Sequence, residues 1–145
     1  MDGQKDDLDL VFEVTNRYLD VYLLRGKTGL KAEEAELLAV WLLDAEVNNG
    51  GFDQYFWNTA GELISEAIEG LEIIGAEDLA SIADAAAAEL SDKFESSSRD
   101  QRRQQIDELQ ASWGSRLSSY DTQYYNSKDD PISLLAAYIR ANDIA

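Results

Sequence analysis

Histidine and cysteine are both absent from this 145-residue chain, and the two gaps remove much of the usual enzyme chemistry. Without histidine, the commonest general base and commonest metal ligand are missing. Without either residue, no Ser-His-Asp or Cys-His nucleophile can be assembled. Zinc sites of ordinary type go with them, as do disulfides and reactive thiols. Proline occurs once and glycine nine times, so long stretches carry no helix breaker. The longest apolar run, Leu37 to Leu43, is too short to cross a bilayer. No basic segment followed by an apolar run opens the chain, so no secretory signal is expected and a cytoplasmic location is. A GxxxxGK(S/T) loop, a GxGxxG turn and the EF-hand spacing are missing too.

Positive charge is the third scarcity. Twenty-nine acids face twelve bases, for a formal net charge of −17, and between Ala32 and Asp92 no Lys or Arg occurs at all. A field of that sign repels nucleic acid and anionic membrane and attracts basic partners. A surface that serves only solubility or salt adaptation has the same composition, so charge alone leaves both readings open.

What is present is enough for one core. Apolar residues make up 45% of the chain, which suits a single domain over 1–145. Leu8, Val11, Phe12, Thr15, Tyr18, Leu19 and Tyr22 follow helical spacing and predict the inward face of a first helix. From Ala32 to Val47 a second helix is apolar nearly all round, through Leu37, Leu38, Val40, Trp41, Leu42 and Leu43, which places it at a bundle centre. Asn48-Asn49-Gly50-Gly51 is expected to end it in a reversal, with a positive φ at one glycine.

Further helices are predicted over 60–74, 77–94 and 99–118. Leu63, Ala67, Leu71 and Ile74 face inward in the first of these. Leu79, Ile82, Ala83, Ala86, Leu90 and Phe94 do so in the second, and Ile106, Leu109, Trp113 and Leu117 in the third. The serines 96–98 break or cap the chain between the last two. A tyrosine-rich loop holds Tyr120, Tyr124 and Tyr125. Asp130-Pro131 then opens a closing helix as N-cap and first residue. No segment alternates with a period of two. The expectation is an all-α compact bundle of about six helices without a sheet, burying Trp41, Leu42, Leu71 and Leu90.

Two stretches are candidates for function. In the first, Asn48, Asn49, Gly50, Gly51, Phe52, Gln54, Tyr55, Phe56 and Asn58 cluster small, amide and aromatic residues. Such residues can line a ligand pocket. They can equally make a turn, plug the core and tie down helix ends. In the second, Glu62, Glu66 and Glu69 stand opposite the buried stripe of their helix, with Glu72, Glu77 and Asp78 extending the row. Three such acids could hold a hard cation or form a solvated face. With 29 acids in the chain, the two-carboxylate requirement of a glycosidase is met too easily to carry an argument. No catalytic residue, metal site or cofactor is therefore expected.

The stretch from Glu46 through Asn48-Asn49-Gly50-Gly51-Phe52, Gln54-Tyr55-Phe56 and Asn58, with Gly61, Glu66-Ala67 and Ile74-Gly75-Ala76, resembles a known bacterial family. Its members are small, acidic and all-helical, and one of them is a described DNA mimic. The likeness resumes at Tyr124-Tyr125, Asp129-Asp130, Leu134-Leu135 and Tyr138-Ile139, and spans about residues 30–142. It implies a helical fold and a protein that offers acids in place of DNA phosphates to a DNA-binding protein such as a transcriptional repressor.

The shared motif is glycine, amide and aromatic, so mimicry has to be argued from the acids. Side chains at i and i+4 of a helix sit roughly 5–6 Å apart at Cβ, on the scale of successive phosphates of a DNA strand. A carboxylate can accept the same arginine fork. Glu62, Glu66, Glu69, Glu72, Glu77 and Asp78 are the expected partner-binding row. The expected partner is a basic DNA-binding protein, with no direct binding of nucleic acid or membrane. The alternatives are an inhibitor of another basic protein, such as the immunity partner of a nuclease toxin, or a small-ligand or carboxylate-metal enzyme using residues 48–58.

Overall fold

The computed structural model describes residues 6–90, 98–113 and 117–144. Seven α-helices occur among them: α1 (Asp7–Arg25), α2 (Ala32–Trp57), α3 (Ile64–Ile73), α4 (Glu77–Ala87), α5 (Arg99–Trp113), α6 (Ser118–Tyr125) and α7 (Pro131–Ala141). Short 3₁₀ turns at Lys27–Gly29 and Thr59–Leu63 join α1 to α2 and α2 to α3. The described residues contain no strand, so the all-α expectation holds.

Helix starts follow local chemistry. Asp6 Oδ1 accepts from the Asp9 amide at 2.8 Å, and Asp130 Oδ1 from the Ser133 amide at 3.3 Å with Pro131 at the first helical position. Glu34 reaches back to the Lys31 amide at 2.9 Å. Ser98 and Gln101 cap each other reciprocally, at 2.9 and 3.2 Å. These bonds satisfy amides that the helix itself leaves free.

The bundle is built around α2, which packs against α1, α3, α5, α6 and α7. Leu37, Leu38, Val40, Leu43, Val47, Phe52, Tyr55 and Phe56 of α2 are fully buried. They meet Leu63 of the 59–63 turn, Ala67 and Leu71 of α3, Ile106 of α5, and Leu135 and Ile139 of α7 in one continuous core. Four aromatics lock its centre: Phe52 lies 6.0 Å from Phe56 and 5.9 Å from Tyr124, and Tyr55 lies 5.3 Å from Phe56, ring centre to ring centre.

Several expectations need correction. Trp41, Leu42 and Leu90 are only partly buried, unlike Leu71. On α1 the buried residues are Leu10, Val11, Val14, Thr15 and Tyr22, whereas Leu8 and Phe12 are both 54% exposed. Apolar residues occur on two sides of α1, and its packing between α2 and α7 selects one of them. Phe12 instead rests edge-on against Trp41, 6.1 Å away. The tyrosine-rich loop is helix α6, and α4 stops at Ala87. Phe94, Ser96 and Ser97 lie outside the described residues, as do the side chains of Leu109 and Trp113.

The expected reversal at Asn48–Gly51 is a break inside α2 that joins two helical limbs. The helical backbone breaks at Gly50 (φ −154°, ψ 15°) and Gly51 (φ 78°, ψ −177°) and resumes at once. The break redirects the chain. Asn58 Nδ2 donates to Glu46 Oε2 at 2.6 Å, although twelve residues of straight helix span about 18 Å. The limb 52–57 therefore turns back toward the first, which a straight helix would not permit.

Candidate acidic interface

Most residues of Asn48–Asn58 make contacts within the fold. Gly51 has the expected positive φ, and a side chain there would also run into the Asp121 carboxylate, whose Cγ lies 2.8 Å from the Cβ position. That carboxylate is there for a reason: Asp121 Oδ1 accepts from the Phe52 amide at 2.8 Å, capping the second limb of α2. Burial raises the Asp121 carboxyl above its usual range; the Phe52 bond pulls it back and the charge of Asp53 adds to the rise. Tyr125 donates to the Val47 carbonyl at 2.6 Å at the end of the first limb. Asn48 Nδ2 donates to the Asp44 carbonyl at 2.8 Å, and Gln54 Nε2 to Glu46 at 3.4 Å. Phe52, Tyr55 and Phe56 fill the core, while Asn49 and Gly50 face solvent.

The acidic row divides into two groups. Glu62 accepts from the Tyr22 hydroxyl, and burial and this bond together push the tyrosine pKa up. Glu66 pairs with Lys27 Nζ at 3.0 Å, and its Oε1 is buried without a hydrogen-bond partner. Of these three expected partner-binding acids, Glu62 and Glu66 are therefore half-buried and engaged by residues of this chain, and only Glu69 is exposed. Tyr22 and Lys27 belong to the neighbouring α1 and its following turn, which the fold lays against α3.

Glu69 is exposed but shares a hydrogen bond with Glu36 of α2. Gly70 makes this possible: a Cβ there would come within 2.5 Å of the Glu36 carbonyl oxygen and 2.6 Å of Val40 Cγ2. Backbones this close bring carboxyls of facing helices together. Burial first, then the Glu69 bond and the charges of Glu69, Glu33 and Glu66, raise the Glu36 carboxyl to about 7. Nearby, Tyr138 donates to Glu33 Oε2 at 2.6 Å, and this bond leads the rise of its pKa to about 12.

The second group is open. Glu72, Glu77 and Asp78 are exposed. Glu72 and Glu77 line a cleft of about 380 Å³ between α3 and α4, with Ile68, Ala80, Ser81 and Asp84. Asp84 was not anticipated, although its spacing of seven from Glu77 was a signal, since i and i+7 share a helix face. Asp78 accepts from Ser127 Oγ at 2.6 Å. The N-terminus of α4 is held from outside: Asp129 Oδ2 accepts from the Asp78 and Leu79 amides at 2.9 and 3.2 Å.

Among the described residues no group of three or more acids is arranged to hold a metal ion. None of the described helices is long and apolar enough to cross a membrane.

Fold and surface define an acidic α-helical domain whose α3 and α4 carry carboxylates and no basic side chain. The family model for DMP19-like protein matches residues 28–142, and the chain belongs to that family. No curated protein and no solved structure matches it significantly.

Proposed function

We propose that this chain is a cytoplasmic binding protein that presents carboxylates in place of DNA phosphates to a basic, DNA-binding protein such as a transcriptional regulator. The observation that carries this reading is the α3–α4 edge. There Glu69, Glu72, Glu77, Asp78 and Asp84 are all exposed, in a stretch of chain without a single Lys or Arg. Membership of the DMP19-like family supports it.

The working face is drawn from the open half of the acidic row. Glu62 ties the 59–63 turn to α1 and Glu66 ties α3 to the Lys27–Gly29 turn, and the exposed acids meet the partner. Each carboxylate offers the acceptor geometry that an arginine fork uses on phosphate. A packed scaffold holds them in place, so little ordering entropy is lost on binding.

The test is a titration of a partner with a variant carrying Glu69→Gln, Glu72→Gln, Glu77→Gln and Asp84→Asn. Exposed substitutions of this kind usually change stability by less than about 0.5 kcal/mol each, so the fold should survive. Association should slow and lose salt dependence, because surface charges steer encounter over a screening length of about 8 Å. Unchanged affinity with unchanged salt dependence would remove this face from the account.

A further inference from the structure

A second cleft, of about 370 Å³, opens between α2 near Asn48, helix α6 and the α6–α7 connection. Asp44 lines it. Both of its side-chain donors converge on one oxygen: Tyr124 Oη gives to Oδ1 at 2.8 Å and Asn48 Nδ2 to the same atom at 3.0 Å. Among the described residues no donor reaches Oδ2. Burial raises the Asp44 carboxyl; the Tyr124 and Asn48 bonds pull it back and the charge of Asp130 pushes it up again.

The other two cleft acids each hold a helix end through one oxygen. Asp129 caps α4 and Asp130 caps α7, offsetting the positive ends of those helices. Asp44 caps no helix end, and among the described residues its Oδ2 has no donor. Lys128 shares the cleft but pairs with none of these acids.

The aromatic wall has a matching character. The hydroxyls of Tyr124 and Tyr125 are committed to Asp44 and to the Val47 carbonyl. The Tyr124 ring is buried against Phe52, so what the pair leaves for a ligand is the ring of Tyr125, which is 53% exposed. A cleft lined both by a carboxylate oxygen without a donor and by an exposed aromatic ring suits a planar, weakly hydrated cation. A guanidinium fits best, since it can donate to the carboxylate and lie over the ring.

We propose that this cleft binds a single guanidinium group, with Asp44 Oδ2 as its acceptor and the Tyr125 ring against its face. The site adjoins the α3–α4 edge at Asp78, which Ser127 and Asp129 of the cleft contact, but its own carboxylate and ring belong to α2 and α6. The guanidinium belongs either to a free arginine-like molecule or to an arginine side chain of a protein.

The test is an NMR titration of the ¹⁵N-labelled protein with N-acetyl-L-arginine methylamide, with its uncharged citrulline counterpart, and with free L-arginine. The arginine probes should give saturable shifts at the Asn48 side-chain amide and at the amides of residues 124–130. The citrulline probe should bind at least roughly tenfold more weakly, since it lacks the charge that strengthens these hydrogen bonds. Asp44→Asn keeps an acceptor for Tyr124 and should lose the preference for arginine. Tighter binding of free arginine identifies a small-molecule site, and tighter binding of the capped form identifies a side-chain site. Equal binding of citrulline and arginine to the wild type, or no saturable shift with either arginine probe, would overturn the proposal.

Discussion

Replacing Gly51 with alanine strikes the joint of α2 in two ways. At φ 78° and ψ −177° the backbone lies in a region that is essentially glycine's own, and another residue there costs roughly 1–3 kcal/mol. The new Cβ would also strike the Asp121 carboxylate, forcing it off the Phe52 amide. A buried amide left without its acceptor costs about 1–3 kcal/mol. The two terms overlap, so the expected loss is roughly 2–5 kcal/mol.

For a chain of this size that lowers Tm by about 10 °C, at roughly 2–4 °C per kcal/mol. Urea denaturation followed by circular dichroism measures it. Gly50→Ala is the internal control. Its Cβ would meet only the Gln54 side chain, whose far end can swing aside while its Cβ, 2.9 Å away, must give slightly, and the φ of Gly50 is negative. That variant should lose less than about 1 kcal/mol. In the Asp121→Ala background the collision disappears and Gly51→Ala should cost only the backbone term, so the double variant should be less damaged than the sum. If Gly51→Ala and Gly50→Ala cost the same, or the Gly51 and Asp121 effects simply add, the reasoning about this joint is wrong.

Three further outcomes are expected. Gly70→Ala should destabilise by about 1–3 kcal/mol through overpacking despite its gain in helix propensity, because the Cβ meets the Glu36 carbonyl; NMR should also show the Glu36 pKa falling as α2 and α3 part. Glu36 titrates at about 7 in the fold against 4.5 for the free side chain, so between those values the folded state holds a proton the unfolded state has lost. That stabilisation is complete below 4.5 and disappears as pH rises through 7. The urea midpoint should accordingly fall from pH 5.5 to pH 8, and Glu36→Gln should flatten the slope. Asp129→Ala should cost about 0.5–2 kcal/mol by uncapping α4, with Asp129→Asn milder, as calorimetry can check.

The helical periods of α3, α4 and α7 were plain in the sequence because each has one dominant apolar stripe, and α2 was plain because it is apolar nearly all round. Helix α1 was harder, since Leu8 and Phe12 compete with Leu10 and Val14 for the inward side. Helix α6 was hidden because Ser118–Tyr125 has little local drive toward helix. Its place is fixed by long-range bonds: Tyr120 to Glu89 at 2.6 Å, Tyr124 to Asp44 at 2.8 Å, and Asp121 to the Phe52 amide at 2.8 Å.

Residue types at the acidic face were legible, and their accessibility was not. Nothing near Glu62 or Glu66 in the chain reveals that Tyr22 and Lys27, some forty residues earlier, will reach them. The close approach at Gly70, which draws Glu36 to Glu69, is likewise a property of two helices and not of either alone.

Competition with DNA tests the central claim most directly. A DNA-binding protein captured on this chain at low salt is bound to a fluorescent duplex, and anisotropy is followed as the chain is added. The account predicts that the wild type displaces the duplex completely and that the variant lacking the Glu69, Glu72, Glu77 and Asp84 charges fails to do so. A ternary complex in which the duplex stays bound, or equal displacement by the variant, would contradict it.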